Sequence, residues 1–476
     1  MGRTSKVVTS GLLICALAAV SVPIGFHLVP AFLPKDPAAV AVVPAAQLPP
    51  TAISDVTGVA PLNDAAPLPD AAKLATDLTT ALAFDGEGTF SMYVTDAATG
   101  KELFSRDGQA ARVPASNLKL LTAGAALRTL GTDTRFSTQA VAGAGANELV
   151  LLAGGDAMLG AGDSAADAVM GHAGIATLAK KTAAALAAGG VTGPVTLSID
   201  DSLFTGPALN PKWADGDVDA GEIAPIFPMA LNAGRLAPEV LSGPRPQDSA
   251  VAVAQAFAAA LEDAGIATTG TLSRSKAPAA AGAAPAGAPG TVLASVESAT
   301  VAQQIQYMLA ESDNYVAEVV GRMVAVKLGQ EASNAGAVAA VRQVVAGLGL
   351  PLDGVVTTDN SGLATGNLIS SAKLTQLLAL MLADPASDIG QALPGLPIAG
   401  LSGSLEHRFV KAPQLDGAGL VRAKTGSLNV VTALTGYVIN AQGRLLAFCI
   451  LGNGLSGGAA AARPTVDAAA AVVAQS

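Results

Sequence analysis

The stretch after Pro114, ASNLKLLTAGAALRTL, is apolar on nearly every side. Leu118, Leu121 and Ala125 fall close to a period of 3.6 residues, which predicts a helix. A helix without a polar face cannot lie on a surface, so other layers must enclose it. Segments able to do so are readable on both sides. Thr89 to Val94 alternates as a strand, 96–100 reads as a turn and 102–104 returns, which predicts a hairpin. Near the C-terminus, Val430 to Ile439 and Leu445 to Leu451 predict two more strands joined by Asn440-Ala441-Gln442-Gly443, followed by a last helix over 465–474. Helical spacing also marks 71–82, 175–188, 300–309, 314–327 and a run from Ser370 or Ser371. Antiparallel strands flanked by helices are the simplest arrangement of these pieces, an α+β fold.

The chain of 476 residues is long enough for two or three domains, and 51% hydrophobic content supplies their cores. Only 13% of residues are charged, too few for a chain kept unfolded by its charge. A net charge of -10 with no basic stripe excludes nucleic acid as a partner. Cys15 and Cys449 are the two cysteines. Arg3 and Lys6 precede an uncharged apolar run, Val7 to Leu33, so residues 1–34 read as a secretion signal or membrane anchor. Residues 35–70, dense in Pro and Ala, read as an extended tether, and the low-complexity tract 268–290 as an exposed loop near a domain boundary. An exported protein of the cell envelope is expected, with membrane association if the first segment is retained. No metal or other cofactor is called for.

Three short motifs occur in order: Ser116-Asn117-Leu118-Lys119, Ser312-Asp313-Asn314 and Lys424-Thr425-Gly426. Together they form the signature of class A β-lactamases and penicillin-binding proteins. Ser-x-x-Lys alone says little, since it also occurs at Ser273 and Ser370. Ser273 lies in the low-complexity tract, and Ser370 is explained as a helix cap. Ser116 differs because it opens the enclosed helix, where one turn brings Lys119 onto its own face and free backbone amides favour developing negative charge. A capping serine beside an outward-reaching lysine is the competing explanation for Ser116 taken alone.

A serine hydroxyl needs a base to remove its proton. None of the three histidines, His27, His172 and His407, is near Ser116 in sequence, which leaves Lys119. To act, Lys119 must be neutral, and burial together with the nearby cation Lys424 is expected to lower its proton affinity. Ser312 can relay a proton to a leaving amine and Asn314 can hold a substrate amide. Lys424, Thr425 and Ser427 suit a terminal carboxylate, and Gly426 lets a substrate backbone approach. The backbone amides of Ser116 and Ser427 are candidates for an oxyanion hole. A rival nucleophile is Ser456 in Gly454-Leu455-Ser456-Gly457-Gly458, an elbow-like motif between a predicted strand and helix. That chemistry requires a later histidine, and none follows His407.

Beyond the trio, VPASNLKLLTAGAAL, LLAGGDAML, DDSLFTGP, DNSGLATGNLISS, LPIAGLSGSLEHRF and VRAKTGSLNVVTALTGYV resemble segments of the D-alanyl-D-alanine carboxypeptidase/endopeptidase family, the class C low-molecular-weight penicillin-binding proteins. The resemblance spans most of the chain after the tether. It implies a transpeptidase/β-lactamase-like catalytic domain, 71–155 and 293–476, interrupted between the first two motifs by an inserted domain over 156–292. It also implies a Ser116 acyl-enzyme that cleaves peptidoglycan stem peptides and is acylated by β-lactam antibiotics. A β-lactamase and a non-catalytic penicillin-binding homologue stay open as alternatives. Members often read the stem-peptide side chain with a Trp, Asp and Tyr cluster. Trp213 with Asp215 or Asp217 is similar, though no Tyr follows nearby, and packing is the competing role for the Trp.

Overall fold

Two five-stranded sheets organise the computed structural model, which describes residues 61–476 apart from 146, 192, 241 and 281–286. The segment expected as signal or anchor, 1–34, and most of the expected tether lie outside these residues. Among the described residues, no helix is long and apolar enough to cross a membrane. Residues 61–70, counted above with the tether, are tied to the folded chain. Asn63 donates its N–H to the Gly443 carbonyl, Ala66 is buried, and the Arg444 guanidinium donates to the carbonyls of Asp64 and Ala66.

The first sheet is antiparallel throughout, in the order Arg422–Leu428, Val431–Ile439, Leu445–Asn453, Thr89–Asp96, Glu102–Arg106. Its central strands are buried along nearly their whole length because helices cover both faces. Helices Ala71–Ala81 and Gly458–Gln475 pack Leu74, Leu78, Val466 and Val473 on one side. On the other side lie Ser371–Ala383 and the short turn that carries Ser116. Both-sided burial explains why strand Leu445–Asn453, LLAFCILGN, reads as a continuous apolar run.

The helix predicted after Pro114 divides in two: a 3-10 turn, Ala115–Leu118, and an α-helix, Lys119–Leu130. As its composition demands, the α-helix is enclosed, against helices Val301–Ala310, Asn314–Lys327 and Asn334–Gly347. Leu120, Leu121 and Leu127 are fully covered. Each contributes about 1.5–3 kcal/mol on burial, enough together to offset several kcal/mol for desolvating one lysine on the same helix.

The second sheet is mixed, in the order Val292–Glu297, Ser137–Ala142, Glu148–Leu152, Val195–Asp200, Thr268–Arg274. Its last three strands run parallel, and helices Ile175–Ala188 and Ser249–Asp263 cover it. The strands at 137–142, 148–152 and 292–297 carry this sheet beyond the 156–292 span expected of an insertion. Thr268–Arg274, expected as loop, is its edge strand. Its residues are exposed or half-buried throughout, with little apolar content, so no period-two signal marks it. The α+β architecture expected from the sequence stands.

Candidate active site

The approach to Ser116 is fixed before the helix begins. Strand Ala111–Arg112 pairs with Ile369–Ser370, and the Asn453 side chain both accepts from Val113 N–H (2.9 Å) and donates to its carbonyl (3.1 Å). Ala115 then turns the chain at φ +47°, a left-handed conformation that is uncommon for a residue bearing a Cβ. Two glycines make room for that turn. A Cβ on Gly362 would lie 2.0 Å from the Ala115 carbonyl oxygen, and one on Gly426 would lie 2.9 Å from that of Pro114. Gly426 therefore admits the turn that leads into Ser116, a closer claim on its small size than the substrate backbone expected above.

The three motifs meet here. Lys119, fully buried, donates from Nζ to Ser116 Oγ (2.9 Å), Asn314 Oδ1 (2.6 Å) and the Ser361 carbonyl (2.7 Å). Lys424, equally buried, donates to Ser312 Oγ (2.8 Å) and the Thr425 carbonyl (2.8 Å). Ser312 occupies the break between two helices at φ +57°, and Asp313 caps the second of them by accepting from Val316 N–H. Asn117 links the first motif to the third. Its amide nitrogen donates to the Lys424 carbonyl (2.7 Å), and its oxygen accepts from the Thr435 hydroxyl (3.0 Å).

Burial pulls Lys119 down to about 8, against the opposing pull of Asp359, Asp313, Glu318 and Glu222. Burial also holds Lys424 well below the usual lysine range, with the Lys119 charge as the next cause. Burial, one of the two causes expected above, is the larger for both lysines, and the repulsion between the two ammonium groups acts in the same direction. Two of the ammonium's three donors point at oxygens that can only accept, the Asn314 amide and the Ser361 carbonyl. The remaining direction faces Ser116 Oγ, where a neutral amine has its lone pair.

Asn314 is more committed than expected. Its Nδ2 donates to the Glu222 carbonyl (3.0 Å) while its oxygen accepts from Lys119. One N–H and one lone pair stay free for a substrate amide. Thr425 Oγ1 shares a hydrogen bond of 2.6 Å with Ser404 Oγ, and Ser427 is exposed on the same strand.

Sequence reasoning missed the groups behind the first ring. Glu318 and Asp359 are buried and organise the loop 359–362 against Lys119. Arg235 forms a buried ion pair with Asp313 at 2.6 Å. Only the DNSGL segment had been singled out, and only by resemblance. Trp213 is buried, and its indole N–H donates to Asp359 Oδ2 (3.0 Å). Asp215 and Asp217 lie on the short helix Asp215–Asp219, none of whose residues is buried.

The other candidates have structural roles. Ser370 caps helix Ser371–Ala383 and accepts from Lys373 N–H. Ser273 is exposed on the edge strand. Ser456 Oγ accepts from Glu87 N–H (2.8 Å), which ties the turn before the last helix to the chain at Glu87.

Comparison with known proteins gives the family of the chain. A carboxypeptidase of Mycobacterium tuberculosis is 36% identical over 388 residues, covering 80% of each chain. One of Mycolicibacterium smegmatis is 34% identical over 407 residues, covering 84% of this chain and 83% of that one. The crystal structure of penicillin binding protein 4 from Haemophilus influenzae shares the fold. Its TM-score is 0.64 at 21% identity, over 83% of this chain and 97% of that one. The model of the D-Ala-D-Ala carboxypeptidase 3 (S13) family matches residues 74–247 and 243–476. The chain belongs to that family and is a serine-type D-Ala-D-Ala carboxypeptidase/endopeptidase.

Proposed function

We propose that this activity runs through an acyl-enzyme on Ser116, formed from peptidoglycan stem peptides and, as an inhibited dead end, from β-lactams. The observation that carries the proposal is the chain of contacts from Ser116 through Lys119 to Asn314, beside that from Lys424 to Ser312. Neutral Lys119 takes the Ser116 proton as Oγ attacks the carbonyl of the penultimate D-Ala. The peptide C–N bond then breaks, and the proton passes from Lys119 by way of Ser312 to the leaving amine. Water attacks the ester, gives its proton to Lys119, and Lys119 returns it to Ser116 Oγ. The backbone amides of Ser116 and Ser427 receive the oxyanion in both halves. Asn314 holds the substrate amide, while Lys424, Thr425 and exposed Ser427 receive the terminal carboxylate.

The work is done outside the cytoplasm, reached by export through the apolar N-terminal segment. The inserted unit is the one built on the second sheet, and on that basis its limits are 137 and 297.

Labelling with a fluorescent penicillin tests the mechanism. Wild type takes a covalent label at Ser116, and Ser116→Ala lowers labelling by roughly a thousandfold or more. Label persisting in Ser116→Ala sinks the assignment, and rapid release of hydrolysed drug turns it to a β-lactamase. Product analysis on an uncrosslinked pentapeptide beside a crosslinked dimer then divides terminal D-Ala release from crosslink cleavage.

A further inference from the structure

Lys119 has to be both fixed in place and ready to lose a proton, and one buried group outside the mechanism bears on both. Glu318, 1% exposed, sits on helix Asn314–Lys327 just past the second motif. Its Oε1 accepts the backbone N–H of Asn360 (2.9 Å) and of Ser361 (2.8 Å), and its Oε2 accepts Asn360 Nδ2 (3.1 Å). The Ser361 carbonyl accepts from Lys119, and the Asn360 carbonyl accepts from Thr122 Oγ1 (2.6 Å), one turn further along the lysine's own helix. Gly321 lets the loop in: a Cβ there would lie 2.6 Å from Asn360 Cγ. Both contacts from this loop to the lysine helix therefore come from residues that Glu318 holds.

We infer that Glu318 is a positioning residue for proton abstraction, holding the Ser361 carbonyl on Lys119 and placing a negative charge behind that lysine. The inference rests on Lys119 being the base for Ser116. Other charges face Lys119 as well: Asp359 from the loop, Asp313 from the motif turn, Glu222 from the insertion and Lys424 from the first sheet. Burial, then Asp359, pushes the Glu318 carboxyl up to about 7, so its charge is fully present only above neutrality.

Glu318→Gln separates charge from geometry. The Gln oxygen still accepts both backbone N–H groups. Its amide nitrogen meets Asn360 Oδ1, buried and without a partner, once that side chain turns over. The experiment is acylation by a fluorescent penicillin from about pH 5 to 10, with thermal unfolding of each variant. Loss of the charge releases the Lys119 proton more easily, so the acid limb moves to lower pH by roughly half a unit or more while the melting temperature stays near wild type. An acid limb that superposes on wild type, or a uniform fall in rate with the limb in place, overturns the inference.

Should Glu318→Gln fail to fold, Glu318→Asp decides. It keeps the charge but withdraws it by one methylene, so the limb holds and the plateau falls several-fold; a wild-type plateau overturns the inference. Failure of the Ser116 assignment shows separately, as label retained in Ser116→Ala.

Discussion

The two sheets bury different things. Around the second sheet the core is Leu, Ile, Val, Ala, Phe and Met, and the charges that pair there, Lys180 with Asp163 and Arg274 with Asp201 and Asp248, lie outside it. Beside the first sheet, Lys119, Lys424, Glu318, Asp313 and Asp359 are all buried, and each has hydrogen-bond partners. An apolar core is held by area and tolerates repacking. A buried polar network is held by matched partners, and removing one leaves another uncompensated. The costly burial beside the first sheet gathers around Lys119 and Lys424, the two lysines of the proposed mechanism.

Arg235 breaks the comparison most sharply, since it belongs to the second-sheet segment yet pairs with Asp313 of the motif. Arg235→Ala should cost about 3–5 kcal/mol by leaving Asp313 buried without its cation, and should slow penicillin acylation more than tenfold. Denaturant unfolding and labelling rate together check this. A variant that melts early but acylates normally once folded would confine Arg235 to stability.

Phe257 is the control from the other core. Fully buried under the second sheet, it should cost about 3–5 kcal/mol as Ala, with the acylation rate per folded molecule unchanged. A changed rate would mean that the two cores are not independent.

Asp156, the buried exception near the second sheet, sharpens the contrast with a smaller effect. Its Oδ2 has no partner, and burial pushes the carboxyl up to about 7. The native state therefore keeps a proton that the unfolded chain releases in the ordinary carboxylate range. Stability is greatest in acid and falls as pH rises through about 7. Asp156→Asn should remove that slope and gain roughly 1–3 kcal/mol near pH 8 while matching wild type in acid. Urea midpoints across pH decide it.

What could be read from the sequence was local. Helices Ile175–Ala188 and Asn314–Lys327 were legible to the residue, because apolar spacing and the capping Asp313 mark them without help from elsewhere. The trio was legible because short spacing on one turn carries Ser116 and Lys119 together. Helices Ser249–Asp263 and Asn334–Gly347 were not singled out, since β-branched Val, and in the second Gly336 and Gly347, weaken their helical signal. The last helix starts at Gly458, earlier than read, since Pro464 lies within its first two turns. The second ring of the site was hidden for another reason. Glu318 and Ser361 are far apart in the chain, and nothing local to either announces the other. Trp213, for which packing is the competing role, is buried with its indole N–H on Asp359, a partner 146 positions downstream that nothing local announces.

The left-handed turn at Ala115, wedged between Gly362 and Gly426, has no slack to take up. A serine that follows so enclosed a stretch of backbone presents its hydroxyl to every incoming carbonyl from one direction. On the proposed mechanism, discrimination among substrates then has to come from the outer walls of the cleft, where Ser404 and Ser427 are reachable from solvent.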